Sequence, residues 1–190
     1  MIIDISYEIT NCNIYPGDPK PSVNVIKDMN NGDSYNLSTF SMCAHNGTHV
    51  DAPKHFINNG KAIDEISLEH FVGDCYVCSF NGNIDEKSAY DIINKANCKR
   101  LLIKGNCVVT SQAAKVFSNS NLFLIGIESQ SFGEVDSPME VHKILLNKNI
   151  VLLEGLNLKE ANDGYYYLCA QPLNIKGIEG SPCRAILIEK

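Results

Sequence analysis

The hydrophobic and polar positions change rhythm along the chain. In the first part apolar residues fall in short extended runs, Ile2 to Ser6, Ser22 to Lys27 and Ser34 to Cys43, with Tyr15-Pro16-Gly17-Asp18-Pro19 as a turn between the first two. From Phe71 onward, runs that read as strands (Phe71 to Phe80, Arg100 to Lys104, Leu122 to Ile127, Ile150 to Leu153) alternate with helical patterns at Glu86 to Ala96, Ser111 to Ser118 and Pro138 to Asn147. That alternation predicts crossover units and a parallel segment of sheet, hence an α/β fold. The third helix carries the strongest start signal, with Ser137 as cap, Pro138 at the first helical position and Glu140 three residues after the cap. His142 then falls in its second turn beside Val141, Ile144 and Leu145, where it either packs at the edge of the core or reaches into a site.

No repeat, low-complexity tract or linker divides the sequence, so one domain over 1–190 is expected, large enough to bury a core without staples. A net charge of -6 with no basic stripe argues against a nucleic-acid partner. The apolar runs are too short to span a membrane, and Met1-Ile2-Ile3-Asp4 lacks the features of a signal peptide, so a soluble, cytoplasmic protein is expected. The eight cysteines read as reduced thiols. Cys75 and Cys78 look like a redox pair only superficially, because on a strand their spacing of three puts them on opposite faces.

The chemistry is concentrated between His45 and His55, where His-Asn-Gly-Thr-His-Val-Asp-Ala-Pro-Lys-His holds three of the five histidines and one aspartate. Imidazole and carboxylate are the usual protein ligands of divalent transition metals. A regular helix through this segment is opposed by Gly47 and Pro53. A straight strand fails too, since four residues span roughly 13 Å. The chain must bend, and Gly47 is where it can. Beyond the bend His49 and Asp51 are two apart and share a face, while Pro53 fixes the backbone before His55. Glu154 closes the apolar run Ile150 to Leu153. Either it is a buried carboxylate kept ionised by a metal, or the strand ends at Leu153 and Glu154 faces water.

These residues resemble the cyclase-like family of metal-dependent hydrolases, whose best-known members are bacterial kynurenine formamidases and which also includes isatin hydrolases. The resemblance runs from Asp4-Ile5-Ser6 and Tyr15-Pro16-Gly17-Asp18 through the 45–55 motif, Gly126-Ile127-Glu128, His142 and Glu154-Gly155-Leu156 to Gly180-Ser181-Pro182-Cys183-Arg184. It implies a swivelling β/β/α fold with a mixed sheet and flanking helices. It implies a first metal on His45, His49 and Asp51, a second on His142, Asp51 and Glu154 as bridges, and His55 as the catalytic acid/base. It also implies a homodimer or higher homo-oligomer with active sites near the subunit interface. Zinc is the expected metal, in one or two ions, with manganese as the alternative, and the expected substrate is a small aryl formamide, N-formylkynurenine first.

Two departures bear on the substrate. Typical kynurenine formamidases stack a tryptophan on the substrate's ring where this chain has Tyr15, and this chain has no tryptophan. Glu128 stands where family members often carry aspartate. Another aryl formamide, a cyclic amide or imide, or a lactone is therefore the alternative substrate. A non-catalytic metal-binding module is a third reading, opposed by His55, since a purely structural site needs no acid/base. Gly-x-Ser-x-Gly and glycine-rich phosphate loops are absent, and His70 reads as a structural residue at a strand entrance.

Overall fold

The computed structural model describes residues 1–133 and 138–190. The strands are, in chain order, β1 (Ile2–Asp4), β2 (Ser22–Lys27), β3 (Leu37–Ser41), β4 (His49–Asp51), β5 (Val72–Ser79), β6 (Gly82–Ile84), β7 (Arg100–Lys104), β8 (Cys107–Val109), β9 (Leu124–Ile127), β10 (Val151–Glu154), β11 (Gly164–Cys169), β12 (Gly180–Pro182) and β13 (Ile186–Glu189). The helices are α1 (Glu86–Ala96), α2 (Ser111–Ser118) and α3 (Pro138–Leu146). The starts of α1 and α2 are set by Asp85 and Thr110, whose side chains accept the N–H groups of Ser88 and Ala113. Ser137, the expected cap of α3, lies outside the described residues.

Among the described residues nine strands form one mixed sheet in the order β1-β13-β11-β5-β7-β9-β10-β4-β12. The expected parallel segment is its centre, β5-β7-β9-β10, and the flanking pairs are antiparallel. Both faces of the centre are buried, which is why those strands read as unbroken apolar runs. Leu101, Ile103, Ile125 and Leu152 point to the side covered by α1, α2 and α3. Leu102, Leu124, Val151 and Leu153 point to the other, where they meet Val50, Leu168 and Leu187 from the outer strands. Among the described residues no α-helix covers that second face; the sheet curls around it, and the 3₁₀ turn Ile63–Glu65 adds Ile63 to its core. β1 stops short of the expected Ser6 because the chain turns to complete the curl: Ile5 N–H still donates to Ala185, but Ser6 bridges to Leu156, just beyond β10. Cys75 and Cys78 fall in the two opposite cores, as their spacing requires, and burial pushes both thiols up to about 12. All eight cysteines are free thiols.

A buried arginine ties the entrance of β5 to β7. Arg100 is 6% exposed and donates to the carbonyls of His70 (3.2 Å), Asp74 (3.2 Å) and Glu69. Gly73, at φ +136°, leaves the room: a Cβ there would lie 2.6 Å from the guanidinium. Arg100→Met keeps much of the volume but strands these carbonyls, so it should destabilise the protein by about 3 kcal/mol. Urea unfolding measures this, and a loss below about 1 kcal/mol would mean that water replaces the guanidinium.

The hairpin β2–β3 stands apart. All its strand residues but Lys27 are exposed, including Val23, Val25, Ile26, Leu37 and Phe40. Such a two-stranded ribbon is marginal unless something packs on it.

Candidate metal centre

The bend expected at Gly47 is present, at φ +66°, and it delivers the chain into β4 with His49, Val50 and Asp51 all buried. β4 lies between β10 and β12, and the register puts Glu154 directly opposite His49 and Gly180 opposite Asp51. Directly opposed residues share a face. The carboxylate of Glu154, 3% exposed, is thereby aimed at the imidazole of His49 and not at water. The corner is locked by Thr48, whose hydroxyl donates to the Gly155 carbonyl and accepts the Tyr7 N–H. Gly155, at φ +64°, sits so close that a Cβ would meet the Gly47 carbonyl oxygen at 2.5 Å.

Two triads result, sharing one carboxylate. In the first, Asp51 Oδ1 is 2.9 Å from His45 Nδ1 and 3.5 Å from His49 Nε2. In the second, His142 Nε2 is 3.7 Å from Asp51 Oδ2 and 3.2 Å from Glu154 Oε1. Glu154 faces both, since its Oε2 is 3.2 Å from His49 Nε2. His142 therefore reaches into the site from α3, packed against Phe56 at 4.6 Å between ring centroids. His49 donates its Nδ1–H to the Gly47 carbonyl at 3.1 Å, which leaves Nε2 as the nitrogen free to hold an ion.

The donor set fits a divalent ion. Asp51 is fully buried, yet its Oδ2 has no hydrogen-bond partner among the described residues. A buried carboxylate oxygen is costly when unmatched, and an ion facing both triads would match it. His45, His49 and Asp51, and likewise Asp51, His142 and Glu154, each offer ligand atoms within 4.8 Å of one another.

The imidazoles and carboxylates also shift one another's proton affinities. Burial disfavours a charged His49, but its hydrogen bond to Glu154 and the charges of Asp51 and Glu154 outweigh burial and raise its pKa to about 9. Burial opposes ionisation of Asp51 as well, and the hydrogen bond from His45 with the neighbouring imidazoles holds its carboxyl below the usual carboxylate range. A pKa raised on folding gives stabilisation that is full below the ordinary 6.5 and fades as pH rises through about 9. The metal-free fold should weaken over that window, and metal uptake at pH 7 should expel the His49 proton. Calorimetry in buffers of different ionisation enthalpy measures that proton; a binding heat that does not change with buffer would exclude its release.

His55 stands beside the triads. A short 3₁₀ turn, Pro53–His55, stacks its ring on His45 with centroids 4.1 Å apart, and its Nε2 lies 3.9 Å from Asp51 Oδ2. Its side chain is 27% exposed, which distinguishes it from the buried His49 and His142. Burial, only partly countered by Asp51, lowers its pKa and so favours the neutral ring.

The remaining residues singled out in the sequence fall elsewhere. Tyr15 is 44% exposed, and among the described residues no hydrogen bond or ring contact joins it to the cluster. Glu128 accepts the N–H groups of Gly105 (2.6 Å) and Leu158 (2.9 Å), so its longer side chain staples two loops together. His70 ends a 3₁₀ turn before β5 and stacks on Phe123. Sequence reasoning overlooked the locking role of Thr48, which alternation already places on the face opposite His49. It also overlooked Glu179, whose Oε1 is 3.5 Å from His45 Nε2 and which no local pattern marks.

A curled mixed sheet with helices on one face and two histidine-carboxylate triads sharing an aspartate defines a metal-site protein of the α/β class. The chain belongs to the cyclase family, whose model, described as "Putative cyclase", matches residues 3–117. A kynurenine formamidase of Salinibacter ruber is 32% identical over 98% of this chain and 96% of its own length. A structure described as a predicted metal-dependent hydrolase from Bacillus stearothermophilus has a TM-score of 0.81 at 25% identity, covering 98% of this chain and 97% of that one. Isatin hydrolase A from Labrenzia aggregata shares the fold, with a TM-score of 0.85 at 20% identity over 100% of this chain and 94% of the other.

Proposed function

We propose that the protein is a metal-dependent amidohydrolase acting on a small aryl formamide, with N-formylkynurenine as the leading substrate, released as kynurenine and formate. The observation that carries this is the pair of triads sharing Asp51, with the part-exposed His55 next to them. The named activity of the 32%-identical relative supports it. His45, His49 and Asp51 would hold one ion, and Asp51, Glu154 and His142 a second, with zinc the first choice and manganese the alternative for this nitrogen and oxygen set. When bound, such an ion lowers the pKa of water towards neutrality and polarises a carbonyl.

The side chains supply the rest. Neutral His55 accepts a proton at Nε2 as water is activated, and hands it to the leaving amide nitrogen. Phe56 and Phe132 flank His142 and keep its ring away from bulk water. Tyr15 supplies an aromatic face for a substrate ring. Because that face is tyrosine and the chain has no tryptophan, the second reading keeps the site and changes the substrate to another aryl formamide, a cyclic amide or imide, or a lactone.

The setting we propose is cytoplasmic, supported by eight unpaired thiols; among the described residues no helix is long and apolar enough to cross a membrane. A homodimer or higher homo-oligomer, with a second copy covering the exposed hairpin, accounts for its apolar residues. Phe40→Glu, at a position 69% exposed, should lower the mass seen by light scattering to that of a monomer, and an unchanged oligomer would place the interface elsewhere.

The test of function is hydrolysis of N-formylkynurenine by protein stripped of metal and then restored with zinc or manganese. Metal-restored turnover supports the formamidase reading. Inactivity of a fully metallated protein, with turnover of isatin or a lactone instead, would replace it with the second reading.

A further inference from the structure

We infer that Glu179 is a positioning residue for the metal centre: its carboxylate receives the outer N–H of His45 and so fixes which nitrogen of that ring faces the ion. The inference rests on the metal-site reading above. It starts from an imidazole with two very different ends. Nδ1 lies 2.9 Å from Asp51 Oδ1, inside the first triad. Nε2 points the other way, is shielded from solvent, and has no hydrogen-bond partner. Once Nδ1 is a ligand, Nε2 carries the proton, and a buried N–H that cannot reach water needs an acceptor. Among the described residues the one carboxylate within 4 Å of Nε2 is Glu179, with Oε1 at 3.5 Å. The ring of His45 is held at its other end by Asp51 and by stacking on His55, so it is the part-exposed Glu179 side chain that would turn to meet the N–H.

The backbone is built for this placement. Glu179 is anchored because its carbonyl accepts the Ala52 N–H at 2.8 Å, immediately after Asp51. The next residue, Gly180, opposite Asp51 in the β4–β12 pair, has no side chain where the ring of His45 lies: a Cβ would stand 2.7 Å from His45 Cε1. Gly180 therefore makes the seat for the imidazole and Glu179 holds its far end. The side chain of Glu179 is 42% exposed, so it can turn toward the ring of His45 with little loss of solvation. A carboxylate in this position raises the basicity of the ligating nitrogen and prevents the ring from flipping, effects typically worth about 10- to 100-fold in metal affinity.

The experiment measures zinc affinity by competition with a chromophoric chelator for the whole protein, for Glu179→Gln and for Glu179→Ala. It adds the ring nitrogen and N–H signals of ¹⁵N-histidine-labelled zinc protein. The expected result is a 10- to 100-fold loss for Glu179→Ala and a smaller loss for Glu179→Gln, whose amide oxygen still accepts. A slowly exchanging Nε2–H on an Nδ1-ligated ring should be present in the unaltered protein and absent from Glu179→Ala. Affinity unchanged in both variants, or ligation of His45 through Nε2, overturns the inference while the metal site stands. Failure of the unaltered protein to bind zinc or manganese would overturn the metal-site reading itself. Should Glu179→Ala not fold, the spectrum of the unaltered protein and the affinity of Glu179→Gln decide the matter.

Discussion

Asp51→Asn is expected to empty both halves of the centre at once. Asp51 is the side chain shared by the two triads, with Oδ1 turned to His45 and His49 and Oδ2 to His142. Asparagine has nearly the same shape but offers one acceptor oxygen, and presents N–H donors where the second triad needs an acceptor. Losing the carboxylate also removes the charge that offsets that of an ion among three imidazoles. The electrostatic stabilisation an ion gives to a hydrolytic transition state is several kcal/mol, and at about 1.4 kcal/mol per decade its loss lowers turnover by roughly 10³-fold or more. Metal content after dialysis, measured by emission spectroscopy with turnover of N-formylkynurenine alongside, checks both parts. Two ions retained per chain would show that Asp51 is not the shared ligand.

His55→Ala is expected to separate chemistry from metal binding. The ring is near the centre without being enclosed by it, 3.9 Å from Asp51 Oδ2 and 27% exposed on its side chain. Its removal should leave the ion content intact and lower kcat by about 10²- to 10⁴-fold, the range typical of a general acid/base. KM should change little, because a proton shuttle acts chiefly in the transition state. Loss of metal in parallel with activity would make His55 a ligand instead. The two substitutions thus bracket the site: one removes the ion and its chemistry together, the other only the proton transfer.

Several elements were legible in the sequence because the signals that set them are local. α1 and α2 span Glu86–Ala96 and Ser111–Ser118, as their periodicity predicts, with capping side chains from the preceding residues. β2 and β7 likewise keep the predicted bounds. Gly47 is the bend in the histidine segment because a left-handed φ is easy only for glycine. β11, Gly164–Cys169, went unrecognised: it alternates buried and exposed residues within a run of three tyrosines, and it becomes a strand by pairing with β5 and β13 at distant positions. β6, β8 and β12 are three residues each, too short for any period to show.

The candidate donors are visible without any structure: three histidines and an aspartate clustered around a glycine bend, in a chain whose alternation is that of an α/β fold. Local pattern left His142 between core and site, and Glu154 between ligand and solvent, and only the family resemblance set both among the expected ligands. Long-range pairing brings both side chains to one point. Antiparallel pairing of β10 with β4 sets Glu154 opposite His49, and α3, which leads into β10, turns His142 toward the same point. A metal site needs atoms within a few ångströms of one point, whereas sheet order and register, which bring residue 154 beside residue 49, depend on pairing across the whole chain.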